Sequence, residues 1–117
     1  MISTHILDTS AGSPAEGVAV RLEIQSGAGA QVSSLDSSAW TEVSSGVTNA
    51  EGRFVFADSG AAGIYRIHFE VQPYFARQAK EAFFPTVSVV FRVENTQRKY
   101  HVPLLLNPYG YSTYRGS

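Results

Sequence analysis

Tyr100-His101-Val102-Pro103-Leu104-Leu105-Leu106, Asn107-Pro108-Tyr109-Gly110 and Tyr111-Ser112-Thr113-Tyr114-Arg115-Gly116-Ser117 form the stretch on which the fold turns. Two β-prone runs flank a short turn, which is the sequence form of a hairpin. Chain ends are usually polar and frayed. Here the second run carries tyrosines instead, and Tyr109, Tyr111 and Thr113 are predicted to share one strand face, with Arg115 following. An ordered end is therefore expected, with a defined place for Arg115-Gly116-Ser117.

The same alternation recurs upstream. Between Gly17 and Gln25, residues Val18, Val20, Leu22 and Ile24 fall on one face and Ala19, Arg21, Glu23 and Gln25 on the other, a half-buried strand. In Ile64–Val71 the core face is Tyr65, Ile67, Phe69 and Val71. In Thr86–Glu94 it is Val87, Val89, Phe91 and Val93. Shorter strands are predicted at 2–8, 39–45 and 54–56, the last opened by Arg53. Turn-forming residues occupy 8–15, 46–52 and 58–63. Residues 26–38, small and polar, read as a hairpin loop; their glycines lack the Lys-Ser/Thr pair of a phosphate-binding loop. Pro73 followed by good helix formers to Ala82 predicts a short helix starting at the proline. About eight one-sided strands without a βαβ rhythm predict an all-β, two-sheet antiparallel sandwich with one short helix. No linker or repeat divides residues 1–117, so a single domain is expected.

Composition narrows the function classes. The chain has 117 residues, 44% hydrophobic and 16% charged, so disorder is not expected. The light charge lowers the repulsion that opposes self-association. A net charge of -1 without a basic cluster argues against nucleic acid as a partner. No apolar run approaches the ~20 residues of a membrane span. The first residues, Met1 to Asp8, lack a basic start and a long apolar core, which reads as a mature cytoplasmic beginning. Cysteine is absent, which removes disulfides and thiol catalysis.

Acid–base chemistry near neutral pH points to the histidines, of which there are three: His5, His68 and His101. His5 lies on the first predicted strand and His101 on the penultimate one, sharing a face with Pro103 and Leu105. Arg53 follows a glycine turn. Spacing alone leaves each of them open to an ordinary surface role, and His68, alternating with Arg66 and Glu70, reads as a solvated residue. Two histidines at these spacings do not make a zinc site. No Gly-x-Ser-x-Gly elbow is present either.

At its end the chain resembles the 5-hydroxyisourate hydrolase family, the enzyme branch of the transthyretin fold. Tyr114-Arg115-Gly116-Ser117 looks like the family hallmark, and the likeness extends back through His101-Val102-Pro103-Leu104-Leu105-Leu106 and Pro108-Tyr109-Gly110-Tyr111-Ser112-Thr113. Ser3-Thr4-His5-Ile6-Leu7-Asp8-Thr9 resembles its opening motif, and Thr48-Asn49-Ala50-Glu51-Gly52-Arg53 its arginine-bearing turn. Tyr74-Phe75 and Phe83-Phe84-Pro85 are similar to its helix region. The stretch 27–38 departs from the pattern.

This resemblance implies a catalytic set of His5, Arg53, His101 and Ser117, with Arg53, Tyr114 and Ser117 binding substrate. The implied reaction opens the oxidised purine 5-hydroxyisourate to 2-oxo-4-hydroxy-4-carboxy-5-ureidoimidazoline, in urate breakdown. The histidines would activate water and deliver a proton, in an order left open. Arg53 would orient substrate and stabilise charge, and Ser117 with its carboxylate would orient water, substrate or a histidine. Such a hydrolysis requires no metal or organic cofactor. A homotetramer is implied, with Leu104, Leu106 and Tyr111 as candidate subunit contacts. The alternative is a transthyretin-type small-molecule binding protein without catalysis.

Overall fold

A computed structural model describes residues 1–25, 40–57 and 59–116 of the chain. The predicted loop over 26–38 and the end residue Ser117 lie outside the described residues. The elements run β1 (Ile2–Asp8), β2 (Ser13–Pro14), β3 (Ala19–Gln25), β4 (Trp40–Val47), β5 (Arg53–Phe56), β6 (Gly63–Glu70), α1 (Val71–Ala76), β7 (Thr86–Val93), β8 (Tyr100–Asn107) and β9 (Gly110–Thr113).

The strands form two sheets. One has the order β2-β1-β8-β9, with β5 pairing β1; the other has the order β4-β3-β6-β7. The edge of β1 is shared, since Ile2–His5 pair with β5 while Leu7 and Asp8 pair with β2. Most pairs are antiparallel, but β1 and β8 run parallel, with Ser3 opposite His101 and His5 opposite Pro103. Alternation predicts faces, not the direction in which distant strands meet, so this pairing had no sequence signal.

The predicted core faces are the observed ones. Ile6, Leu22, Ile67, Phe69 and Leu104 are completely buried between the sheets. Each such side chain contributes about 1.5–3 kcal/mol relative to exposure. Leu104 and Leu106, expected as candidate subunit contacts, are core residues at 0% and 1% exposure. Their side chains point inward, and only Tyr111 of that trio remains on the surface, its ring edge-on to Phe84.

The helix differs from expectation. It spans Val71–Ala76, so Pro73 is its third residue rather than its first. The first N–H groups of a helix lack partners in any case, so proline fits anywhere in that turn. Val71 and Phe75, one turn apart, are buried with Tyr74. Ala79 then adopts a positive φ of 57°, and the chain leaves the helical path. Tyr109 falls in the β8–β9 turn rather than on the strand.

Candidate active site

The outer face of the β5-β1-β8 sheet is built by alternation. On β1, Ile2, Thr4, Ile6 and Asp8 point inward, which turns Ser3 and His5 outward. Register then places neighbours on the same face: Arg53 opposite His5 on β5, and His101 opposite Ser3 on β8. The rings of His5 and His101 lie 6.5 Å apart between centroids. Three of the predicted residues, far apart in the sequence, are thus brought together.

Arg53 is presented by a constrained turn. Asn49 Oδ1 accepts the N–H groups of Glu51 and Arg53, each at 3.0 Å, and the Asn49 N–H donates to the Arg53 carbonyl. Gly52 closes the turn at φ +74°, and its carbonyl accepts the Ile6 N–H at 2.7 Å. A side chain at Gly52 would collide with the Ile6 carbonyl oxygen, so glycine is required twice over.

His101 is the most constrained of the set. Its Nδ1 shares a hydrogen bond with Ser3 Oγ at 2.9 Å. Its carbonyl accepts the Gly116 N–H at 2.8 Å, an isolated bridge beyond the end of β9. Between Thr113 and Gly116 the chain leaves the ladder opposite Pro103, which has no N–H to pair. Arg115 folds back over the Tyr100 ring, 4.6 Å from its centroid, and so pins the segment that carries Gly116. Burial first, then the charges of His5 and Arg53, hold the His101 imidazole below the ordinary histidine value.

His101 stands between two recesses. One, of about 270 Å³, is also lined by Ser3, Arg53, Val55 and Lys99. The other, of about 300 Å³, is also lined by Phe91, Arg92, Tyr114 and Arg115. Tyr114, a predicted substrate contact, therefore borders His101 but not the recess that holds Arg53. Ser117 lies outside the described residues; Gly116 brings the backbone to His101 immediately before it.

His68 is not part of this cluster, as expected, but neither is it solvated. It lies on the outer face of the other sheet with its side chain 13% exposed, Nε2 against Glu23 and Nδ1 against Ser88, each at 2.8 Å. Ser3 was missed as a site residue. Its signal was present, because a residue two positions before His5 shares its strand face.

Two imidazoles and a guanidinium on one sheet face define the class: a β-sandwich carrying a cluster of two histidines and an arginine. The HIUase/Transthyretin family model matches residues 2–116, and the chain belongs to that family. It is 42% identical over 120 residues to a 5-hydroxyisourate hydrolase of Salmonella typhimurium, covering 100% of this chain and 81% of the relative. The solved structure of Klebsiella pneumoniae 5-hydroxyisourate hydrolase aligns with a TM-score of 0.78 at 36% identity, covering 99% of this chain and 98% of that one. Sea bream transthyretin in complex with thyroxine aligns with a TM-score of 0.83 at 29% identity, covering 98% and 93%. The fold is thus the transthyretin-like sandwich that the terminal motifs implied.

Proposed function

We propose that this protein hydrolyses 5-hydroxyisourate to 2-oxo-4-hydroxy-4-carboxy-5-ureidoimidazoline, a step of urate breakdown. Backbone similarity does not choose between hydrolase and binding protein, since the transthyretin superposes at least as well as the hydrolase. The discriminating observation is the shared face of His5, Arg53 and His101, with His101 held below the usual histidine value. A site for an apolar aromatic ligand has no use for a neutral base beside a guanidinium.

His101 is the base in this reading. Neutral imidazole takes a proton from water, and the resulting hydroxide adds to a ring carbonyl of the substrate. Arg53 faces the oxyanion that develops there and offers a planar fork of donors to the substrate's acceptors. Collapse breaks the C–N bond, and the proton passes to the leaving nitrogen, from His101 or through His5. Ser117 and Tyr114 are the remaining proposed substrate contacts, Tyr114 from the second recess that His101 borders.

Self-association fits the same site. The sheet edges at β7 and β9 end without a further strand among the described residues, and the site face exposes Val55 and Leu7 beside the polar cluster. A homotetramer of single-domain chains would cover these edges and shield the recess from water. We read its setting as cytoplasmic.

The test is ultraviolet decay of freshly prepared 5-hydroxyisourate, measured as acceleration over its spontaneous loss. Wild-type protein is expected to accelerate it, and His101→Ala to reduce the rate about 10²–10⁴-fold. No acceleration by wild type would overturn the assignment.

A further inference from the structure

We propose that Ser3 is a positioning residue that keeps the proton of neutral His101 on Nδ1, so that Nε2 is free as the base. The inference rests on the hydrolase reading above and adds a residue to it.

The geometry favours one ring orientation. Ser3 Oγ meets Nδ1 at 2.9 Å on one side of the ring. On the other side, Gly116 lies so close that a Cβ there would sit 2.6 Å from His101 Cδ2. Turning the ring over would set a carbon against the Ser3 hydroxyl and lose the hydrogen bond. Nδ1 is therefore committed to Ser3, and proton exchange with water and substrate falls to Nε2.

For Nε2 to accept a proton, the neutral ring must carry its hydrogen on Nδ1, with Ser3 Oγ as the acceptor. Free histidine prefers the other tautomer, so the preference has to come from a partner. When Nε2 removes a proton from water, the ring becomes imidazolium with Nδ1–H still donated to Ser3. When Nε2 returns that proton to the departing nitrogen, the ring reverts to the same tautomer. The Ser3 bond survives the whole cycle.

A hydroxyl is suited to this place where a carboxylate is not. The charges facing His101 come from His5 and Arg53, with Lys99 lining the same recess, and they disfavour the imidazolium. An aspartate at position 3 would fix the same tautomer but stabilise the cation, raising the histidine toward protonation at neutral pH. Serine orients the ring without cancelling the shift.

The ring nitrogens of uniformly ¹⁵N-labelled protein report the tautomer directly by NMR, with His101 assigned by its absence in His101→Gln. Above its titration, wild-type His101 is expected as the Nδ1–H form and Ser3→Ala as the Nε2–H form. In the same variant kcat should fall about 10–100-fold, as when a partner orienting a functional histidine is lost, with KM within about twofold. Ser3→Thr should restore both. An Nε2–H ring in the wild type overturns the proposal, and that measurement needs no variant to fold. Unchanged tautomer and kcat in Ser3→Ala overturn it as well. An Nε2–H ring in an enzyme that still depends on His101 defeats the role of Ser3 alone, whereas full activity of His101→Ala defeats the hydrolase assignment of that histidine.

Discussion

Replacing Gly116 by alanine places a methyl group 2.6 Å from His101 Cδ2 and 3.2 Å from both His101 Cγ and Pro103 Cγ. Ordinary contact begins at 3.4 Å, so ring or backbone must move by about 0.8 Å. If the ring moves, it is driven toward Ser3 and the geometry of their 2.9 Å bond is distorted; if the backbone moves, the 2.8 Å bridge from the Gly116 N–H to the His101 carbonyl breaks. A misplacement near 1 Å at a reacting group costs about 10²-fold in rate, which corresponds to about 2.7 kcal/mol of barrier. The expected result is a drop of that order in kcat/KM for 5-hydroxyisourate, with little change in the thermal midpoint, because Gly116 contributes no side chain to the core. Gly110→Ala is the control: it lies in the same terminal hairpin, and a Cβ there meets only Asn107 Oδ1, at 4.0 Å. Activity of Gly116→Ala within twofold of the Gly110→Ala control would refute the clamp on His101.

With His101 in its proposed role as a neutral base, the acid limb of kcat/KM should fall below the ordinary histidine value near 6.5, because its protonation is depressed. Removing a cation relieves that depression, so in Arg53→Gln the limb moves to higher pH, on top of a lower plateau; a pH–rate series shows it, and a limb displaced downward contradicts the assignment. Acid stability draws on a buried carboxylate, Asp8. Burial alone would raise the Asp8 carboxyl, but hydrogen bonds from Ser10, Tyr74 and the amides of Ala11 and Ser10 outweigh it and hold the group below its usual range. With a folded value below the unfolded one, Asp8 stabilises the fold above the unfolded value near 3.8 and loses that contribution as pH falls through the folded value. Tyr74→Phe removes the 2.7 Å bond from Tyr74 Oη and should cost about 1.5–3 kcal/mol in urea unfolding at pH 7. It should also shift the acid-unfolding midpoint to higher pH; an unchanged midpoint would mean that Asp8 does not depend on this contact. The Tyr74 hydroxyl itself, pushed up to about 12 by burial and by Asp8, stays protonated throughout.

Strand faces were legible because alternation is a local property. Tyr65, Ile67 and Phe69 could be assigned inward from the alternation of Ile64–Val71 alone, and they are fully buried. The outward set of Ser3 and His5 follows from the same rule. What alternation lacks is information about partners. The parallel meeting of β1 and β8, and the two-residue strand at Ser13–Pro14, depend on contacts between distant segments. Helix boundaries failed for a related reason: proline reports membership of the first turn, and the buried pair Val71 and Phe75 determines where that turn lies. His68 shows the limit of the solvated-face rule, because Glu23 and Ser88 engage both its ring nitrogens on a nominally outer face. The site was legible chiefly through motif resemblance, since His5 and His101 carry no local mark that they will meet.

The ladder between β1 and β8 has a consequence for how the protein comes into being. Ser3 and His101 are separated by 98 positions yet form one hydrogen-bonded pair, so the cluster cannot exist until β8 has left the ribosome. At roughly 5–20 residues per second, β1 waits several seconds for the strand it must lie beside. In that interval its apolar face and one of its edges are open to wrong partners. Contacts of such long range close slowly, and this one closes the sheet and assembles the chemistry in one event. Recovery of activity during refolding should therefore track the slowest structural phase, which makes turnover a direct clock for the final step of folding.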